Sequence, residues 1–140
     1  MVWKRPLPTQ TPETKAFWDA ANDGRFIVQQ CQTCARWQYP YRGFCCHCWS
    51  GELEVREATT GTVFANSTIY KNDTPGFAED VPYVAAMVQL DEDGGGLMIN
   101  TNIVDCDPDA VHIGMPVEVT FTDAHEGQKV PMFTPRRRHG

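Results

Sequence analysis

The sequence of 140 residues predicts a mainly β protein in which an N-terminal helix and a metal-binding ribbon precede a small closed barrel. Three observations predict this fold class. One segment near the start has helical periodicity, two closely spaced cysteine pairs follow it, and the remainder consists of short β-prone runs separated by turn formers. The 10 prolines and 11 glycines disfavour long helices over most of the chain.

Residues 11–22 have the pattern of the one clear helix. Thr11 can cap its first turn, and Pro12 suits the first helical position because the missing N–H would have no partner there. Its apolar stripe consists of Phe17, Trp18, Ala20 and Ala21. Gly24 predicts the end of the helix, since glycine readily adopts the left-handed conformation that follows many helices.

Short strands are predicted after the helix. Residues 25–30 form a strand that leads into the first cysteine pair. Further candidates, rich in Val, Ile, Thr or aromatic residues, are 52–57, 61–71, 83–90, 97–103 and 117–121. Residues 91–96 form a turn whose glycines tolerate positive φ. Five such strands favour a small closed barrel, because closure removes the exposed edges of an open sheet.

The two cysteine pairs have the spacing of a four-thiolate metal site. Cys31-x-x-Cys34 and Cys45-x-x-Cys48 are separated by ten residues, and each short turn lets two thiolates face one ion. Four thiolates complete the tetrahedral coordination of Zn²⁺ and leave no position for water, so the predicted site is structural. A ribbon this short buries little surface, and metal binding would supply its folding energy.

Alternatives at this site stay open in the sequence. The same four thiolates could hold iron, and the pairs could form disulfides in an oxidising compartment. Cys46 and His47 are also possible ligands, although the geometry of the Cys-x-x-Cys turn favours Cys45 and Cys48.

No catalytic constellation is visible in the sequence. Cys106 stands alone, and the acids around it would raise the pKa of its thiol, which predicts a turn residue rather than a nucleophile. None of the four histidines falls in a recognisable catalytic motif, and there is no phosphate-binding loop. The residues alone therefore indicate a binding or scaffolding module.

Charge bears on the expected partners. The net charge is -6, and no lysine or arginine occurs between Lys71 and Lys129, so a nucleic-acid surface is not expected there. The run Arg136-Arg137-Arg138 could bind a phosphate or a partner's acids, or could be a disordered tail. No stretch approaches the ~20 apolar residues of a membrane span, and the first ten residues do not resemble a signal sequence, so a soluble cytoplasmic protein is expected.

The order of several motifs carries a family resemblance. The helix with Phe17-Trp18 precedes Gly24-Arg25-Phe26, the ribbon cysteines with Pro40 and Arg42, and Gly61-Thr62-Val63. Later motifs are Pro82-Tyr83, Val88-Gln89-Leu90-Asp91, Cys106-Asp107-Pro108, Gly114-Met115-Pro116-Val117 and Pro131-x-Phe133-x-Pro135. In this order, from the helix to Pro135, they resemble the DUF35 family. Cys46 and Ala35 depart from the proline and glycine that the family usually has there, but neither change removes a ligand.

The resemblance implies a rubredoxin-like zinc ribbon followed by an OB-fold. The expected divisions are a helical segment (1–24), the ribbon (25–52), the OB-fold domain (53–135) and a basic tail (136–140). It also implies a small subunit, without catalytic residues of its own, that binds a thiolase-like partner. Such complexes make or break carbon–carbon bonds in acyl-CoA thioesters, as in thiolases and steroid side-chain aldolases, and acyl-CoA would be shared with the partner. Candidate interface residues are Phe17, Trp18, Trp37, Tyr39, Tyr41, Phe44 and Trp49. A nucleic-acid-binding module and an iron electron carrier remain the competing interpretations.

Overall fold

The computed structural model describes residues 11–12, 14–39, 41–78, 80–124 and 127–136. Within these residues the chain has one α-helix, α1 (Lys15–Asn22), and eight strands. The strands are β1 (Ile27–Cys31), β2 (Trp37–Gln38), β3 (Leu53–Glu57), β4 (Thr60–Ile69), β5 (Tyr83–Leu90), β6 (Met98–Ile103), β7 (Pro116–Asp123) and β8 (Lys129–Pro135). Short 3₁₀ turns occur at Glu92–Gly94 and Pro108–Ala110. In the described part of the chain, no helix has the length and apolar character that crossing a bilayer requires.

The helix begins at Lys15, four residues later than the sequence predicts. Thr11 does not cap it directly. Instead, the Thr11 N–H donates to Thr14 Oγ1 at 3.0 Å and the Thr14 N–H donates to Thr11 Oγ1 at 3.2 Å. These reciprocal bonds hold Thr11 and Thr14 together before the helix, because threonine side chains compete with the helix for backbone donors. The predicted end is correct, since Gly24 has a φ of 76°.

The ribbon sheet has the strand order β2-β1-β3, with both pairings antiparallel. The strand predicted at 52–57 as part of the barrel therefore lies in the ribbon, where Ile27 pairs with Glu57 and Cys31 pairs with Leu53. Three of the five residues of β3 are charged and none is buried. A strand of this kind suits a half-exposed sheet better than a barrel wall whose inner face is buried.

The barrel is closed by five strands in the order β4-β5-β6-β8-β7. Its fifth strand is β8, which the sequence analysis missed, because the two prolines at 131 and 135 disfavour an internal strand. β8 is antiparallel to β7 along its whole length, whereas it meets β6 in parallel at the single pair Ile103 and Phe133. The prolines are tolerated because few ladder bonds are required on the β6 side.

One hydrophobic core joins the helix, the ribbon and the barrel. Phe26, directly before β1, packs against Phe133 of β8 with ring centroids 6.1 Å apart. The Asn22 side chain at the end of α1 also accepts a 2.8 Å hydrogen bond from the N–H of Lys129. Buried members of the core are Phe17, Phe26, Ile27, Val28, Val63, Val84, Val88, Leu90, Ile99, Ile103, Val117 and Phe133.

The turn between β5 and β6 is the second junction between ribbon and barrel. Gly95 has a φ of 66°, and a Cβ at this position would overlap the indole of Trp37. Asp91 in the same turn accepts hydrogen bonds from the Thr60 hydroxyl and the Arg136 guanidinium, both at 2.7 Å. These donors, the hydroxyl first, lower the pKa of the Asp91 carboxyl. Arg136 therefore contacts the barrel, while residues 137–140 of the predicted basic tail lie outside the described residues.

Candidate metal centre

The structure brings four cysteine sulfurs together at the end of the ribbon sheet. The Sγ atoms of Cys31, Cys34, Cys45 and Cys48 all lie within 4.8 Å of one another. The Cys31–Cys48 and Cys34–Cys45 sulfur distances are 3.6 and 3.7 Å. Tetrahedral Zn–S bonds of about 2.3 Å place sulfurs about 3.8 Å apart, so the group fits one zinc ion and is too widely spaced for disulfides.

Each cysteine pair is held in a turn of the same construction. In the first turn, the N–H of Ala35 donates to the carbonyl of Cys31 at 2.9 Å, and in the second, the N–H of Trp49 donates to the carbonyl of Cys45 at 2.9 Å. Both donors have positive φ, 66° for Ala35 and 67° for Trp49. This conformation normally belongs to glycine and costs a residue with a Cβ about 1–2 kcal/mol. The same strained conformation occurs in both turns, where it directs the thiolates of each pair toward one point.

Backbone donors also prepare the thiolates for a metal. The N–H of Cys34 donates to Cys31 Sγ at 3.5 Å and, with further backbone donors, lowers the pKa of Cys31 to about 6. Burial raises the pKa of Cys45, whereas hydrogen bonds from the N–H groups of Cys48 and His47 lower it. The hydrogen bonds together outweigh burial, so the net shift of this pKa is downward. The N–H of Ser50 lowers the pKa of Cys48, yet burial and the neighbouring sulfurs raise it to about 12. Zinc, when bound, supplies the positive charge that keeps all four sulfurs ionised together.

Two buried glutamines hold the second cysteine turn, and the sequence analysis missed them. Gln29 of β1 and Gln38 of β2 are only 2% and 3% exposed. The Gln29 amide accepts from Gln38 Nε2 at 2.7 Å and from the N–H of Arg42 at 2.9 Å, and it donates to the carbonyl of Arg42 at 2.6 Å. Gln38 donates to the carbonyl of Phe44 at 3.1 Å and accepts from the N–H of Cys46 at 2.9 Å. Glutamine in a strand gives no sign of this function in the sequence, because the partners are backbone groups 6–13 residues away.

The alternative ligands lie outside the sulfur cluster. Cys46 is exposed, and its backbone N–H is bonded to Gln38. His47 is also exposed, and its Nδ1 lies 3.4 Å from a guanidinium nitrogen of Arg36. The group of potential ligands in the described residues is therefore made of cysteines alone. It leaves no coordination position for water or substrate, so a metal held here stabilises structure and does no chemistry.

Cys106 has the surroundings of a thiol that stays protonated. It lines a cavity of about 230 Å³ beside Tyr83, Ile103 and Met132. Burial and then the charges of Asp107 and Asp105 raise the pKa of its thiol. A raised pKa opposes nucleophilic catalysis, which depends on the thiolate. This observation agrees with the expectation from the sequence that the neighbouring acids raise the pKa of this thiol.

The histidines form no pair or triad in the described residues. His112 places Nδ1 3.1 Å from the carbonyl of Ala110, within its own turn. His47 lies in the ribbon, and His125 and His139 lie outside the described residues.

The structure divides the seven aromatic interface candidates into three groups. Phe17 is 5% exposed and packs edge-on against Trp18, Phe26 and Tyr39, so it is a core residue. A second, half-buried group that packs on the core consists of Trp18, Trp37, Tyr39 and Tyr41. Phe44 and Trp49 form the third group: they are 39% and 78% exposed, and their rings stack at 5.4 Å with an interplanar angle of 11°.

Comparisons with known proteins agree with this architecture. Residues 18–54 match the family model described as "ChsH2, rubredoxin-like zinc ribbon domain", and residues 54–122 match "ChsH2, C-terminal OB-fold domain". The chain is 35% identical over 99 residues to a DUF35 domain-containing scaffold protein of Methanothermobacter thermautotrophicus, covering 69% of this chain and 71% of that protein. It is 33% identical over 132 residues to a probable enoyl-CoA hydratase alpha subunit of Thermomonospora curvata, covering 94% of this chain but 40% of that protein.

Two solved structures share the fold. One, described as an Ltp2-ChsH2(DUF35) aldolase, superposes with a TM-score of 0.79 at 32% identity and covers 92% of this chain and 98% of that chain. The other is a DUF35 protein of unknown function from Sulfolobus solfataricus, with a TM-score of 0.62 at 18% identity over 91% of this chain and 87% of that chain. The second likeness concerns the fold alone.

Proposed function

Because the chain belongs to the DUF35 family, whose members combine a zinc ribbon with an OB-fold, we propose that it is a non-catalytic scaffold subunit of an enzyme complex acting on acyl-CoA thioesters. One observation carries the proposal: the chain resembles, over 98% of that chain's length, a protein solved within an aldolase complex. The names of two relatives point the same way, since one is a scaffold protein and the other a probable hydratase subunit for enoyl-CoA.

The chemistry of the complex is proposed to lie in the partner. The four-cysteine site of this chain is coordinatively closed, so it cannot activate water or polarise a carbonyl. In the described residues, the one cysteine outside the ribbon has a raised thiol pKa, and no histidine faces it within hydrogen-bond distance. A subunit with these properties contributes binding and positioning rather than bond breaking.

The partner is proposed to be a thiolase-like protein. Enzymes of this class make or break carbon–carbon bonds next to the thioester of acyl-CoA, and aldol cleavage of a steroid side chain is one such reaction. The partner's pocket would set substrate specificity, and the OB-fold domain would share acyl-CoA with it at the entrance. We place the complex in the cytoplasm, where reducing conditions keep the four thiols available for zinc.

The exposed pair Phe44 and Trp49 is the proposed aromatic anchor for this partner. Trp49 exposes 78% of its surface, and the cysteine turn that sets its left-handed backbone does not require a large apolar side chain there. Exposed, rigid aromatic residues dominate the energy of many interfaces. Trp49→Gly relieves the backbone strain and removes the indole, so it should preserve the zinc content while weakening partner binding.

A nucleic-acid module is the competing function, and the barrel disfavours it. OB-folds that bind oligonucleotides do so over the face of their second and third strands, which are β5 and β6 here. Neither β5 nor β6 contains a lysine or arginine. Binding of single strands requires cations aligned with the phosphates and aromatic rings for stacking, so this face lacks the electrostatic part of such a site.

Co-expression tests the proposal directly. The tagged chain is produced together with a thiolase-like protein from the same organism, and the purified material is analysed by mass spectrometry, light scattering and metal analysis. We expect a stable complex with the two proteins in equal amounts and one zinc per chain. Recovery of the chain without any thiolase-like protein, at micromolar concentrations of both, would refute the scaffold function. Iron in place of zinc, with a visible absorption band, would instead favour an electron carrier.

A further inference from the structure

Three neighbouring strands of the barrel contain no charged residue. β4, β5 and β6 are 10, 8 and 6 residues long, and none of their residues is Asp, Glu, Lys, Arg or His. The whole chain has 21% charged residues, and the five-residue strand β3 alone has three. Charge is depleted at the centres of protein interfaces, whereas it is common on surfaces that remain in water.

The uncharged strands share one outer face of the barrel. Register pairs place Ala65 beside Met87 and Asn100, and Ser67 beside Ala85. Directly paired residues point to the same side of a sheet, whereas successive residues of a strand point to opposite sides. Because Val84, Ala86 and Val88 of β5 are buried in the barrel, the rows that contain Ala85 and Met87 face outward. They line a shallow groove of about 360 Å³ that crosses all three strands. The small side chains allow another backbone to come close.

The same face ends at a free strand edge. β4 pairs with β5 from Gly61 to Ile69, but it pairs with β7 only from Thr60 to Thr62. Val63 then bonds to the turn at 114–115. Beyond this point, no strand in the described ranges pairs with the second edge of residues 64–69. Monomeric proteins usually protect such edges with charges, proline or a β-bulge. Residues 64–69 contain no charge and no proline, and the bulge between Val63 and Ala65 lies at the start of the segment, before most of its free edge.

Large apolar side chains frame this edge. Phe64 at its start is 54% exposed, and Tyr70 just beyond its end is 70% exposed. Met98 of β6, which lies beyond β5 on the opposite side of the same face, is 40% exposed. Aromatic residues and methionine are enriched at interfaces relative to the rest of a protein's surface.

From these observations we infer that residues 64–69, with the outer face of β4, β5 and β6, bind an extended, uncharged segment of the partner enzyme. The segment adds a strand to the free edge, so that its backbone pairs with β4 and its side chains cover the groove. This inference rests on the proposed scaffold function and names the surface used.

The net charge of the chain favours a strand of the partner enzyme, rather than a second copy of this chain, as the occupant of the surface. Each copy has a net charge of -6, so pairing two copies would bring like charges together. The three strands of the face contain no lysine, arginine or histidine that could offset this repulsion. A neutral strand of an enzyme meets no such repulsion, and added-strand pairing supplies main-chain hydrogen bonds that require no charge on either side.

Lysine substitutions in the groove provide the test. Ala65→Lys and Ser67→Lys each place a cation on an exposed position of the face, and Ser67→Thr changes the same position without charge. Ala110→Lys, at an exposed alanine in the turn Pro108–Ala110, is the matched control for added charge. Affinity is measured by biolayer interferometry against the thiolase-like protein that co-purifies with the unmodified chain. We expect at least a tenfold loss for the two groove variants and less than a twofold change for the other two.

Hydrogen exchange provides a second measurement that needs no substitution. The amides of residues 64–69 that point away from β5 should exchange rapidly in the isolated chain and become protected in the complex, because an added strand occupies the free edge. Equal exchange in the isolated chain and the complex would overturn the inference, as would unchanged affinity of the groove variants. If the isolated chain forms a dimer and Ser67→Lys dissociates it, the surface binds a second copy and the inference is wrong. If the unmodified chain binds no thiolase-like protein, the proposed function fails and this inference fails with it.

Discussion

Replacing Gln29 by leucine tests how the fold supports the metal site. The Gln29 amide makes three hydrogen bonds, to Gln38 Nε2, the N–H of Arg42 and the carbonyl of Arg42, at 2.7, 2.9 and 2.6 Å. Leucine fills a similar volume but removes the partner of the N–H and carbonyl of Arg42 at a position that is 2% exposed, while Gln38 Nε2 keeps its bond to the carbonyl of Phe44. An unsatisfied buried group costs about 1–3 kcal/mol, and the added apolar contacts of leucine offset part of this, so we expect a net loss of about 3 kcal/mol.

The same substitution should weaken zinc binding. The N–H and carbonyl of Arg42 and the groups bonded by Gln38 belong to the segment that positions Cys45 and Cys48. Loss of partners that orient metal ligands typically lowers metal affinity about 10–100-fold. Zinc affinity is measured by competition with a chromophoric chelator, and the free energy of unfolding by urea titration of the zinc-loaded chain.

Gln32→Leu is the matched control. Gln32 is exposed, and its side chain makes one bond, to Glu54 at 3.2 Å, so its loss should cost below about 0.5 kcal/mol. Gln29 and Gln38 share a bond, so the double leucine variant should lose less stability than the two single losses added together. Equal stability and zinc affinity for the Gln29→Leu and Gln32→Leu variants would refute the reasoning.

Three further substitutions test other parts of the structure. Cys48→Ser should abolish stoichiometric zinc in metal analysis while Cys46→Ser retains it; zinc loss in both would contradict the four-cysteine site. Asp91→Asn should lower the free energy of unfolding by less than about 1 kcal/mol at pH 7. The pKa of Asp91 is lower in the folded chain than in the unfolded chain. The stabilisation that the ionised carboxylate contributes is therefore fully present above the unfolded pKa of about 3.9, and it is lost as the pH falls through the lower folded pKa. A difference from the unmodified chain that persists at acid pH in urea titrations would count against it. Gly95→Ala should cost about 2–3 kcal/mol in thermal unfolding, since it combines positive φ with overlap of the Trp37 indole. Gly24→Ala has positive φ in open space and should cost only about 1 kcal/mol, and equal losses would rule out the overlap.

Several features of the fold could be predicted because they are local. The spacing of the cysteines requires no knowledge of distant contacts, and the apolar stripe of the helix predicts its buried residues Phe17, Ala20 and Ala21. The positions of six of the eight described strands, all except β2 and β8, followed from composition to within a few residues. The start of the helix was wrong, since the side-chain bonds between Thr11 and Thr14 compete with the first turn.

Other features depended on which strands meet. The segment 53–57 has the composition of any short strand, and its pairing with β1 places it in the ribbon. β8 was missed because its prolines disfavour a strand, and its position between β6 and β7 tolerates them.

The sequence by itself determined that two cysteine pairs stand at metal-binding spacing and that the motifs follow the order of one family, because residue types and short spacings are properties of contiguous residues. Only the tertiary structure decided which aromatic residues are exposed, where the two buried glutamines bond and which strand edge remains free. Those properties arise from contacts between residues far apart in the chain, and burial or pairing at one position depends on what the rest of the fold places beside it.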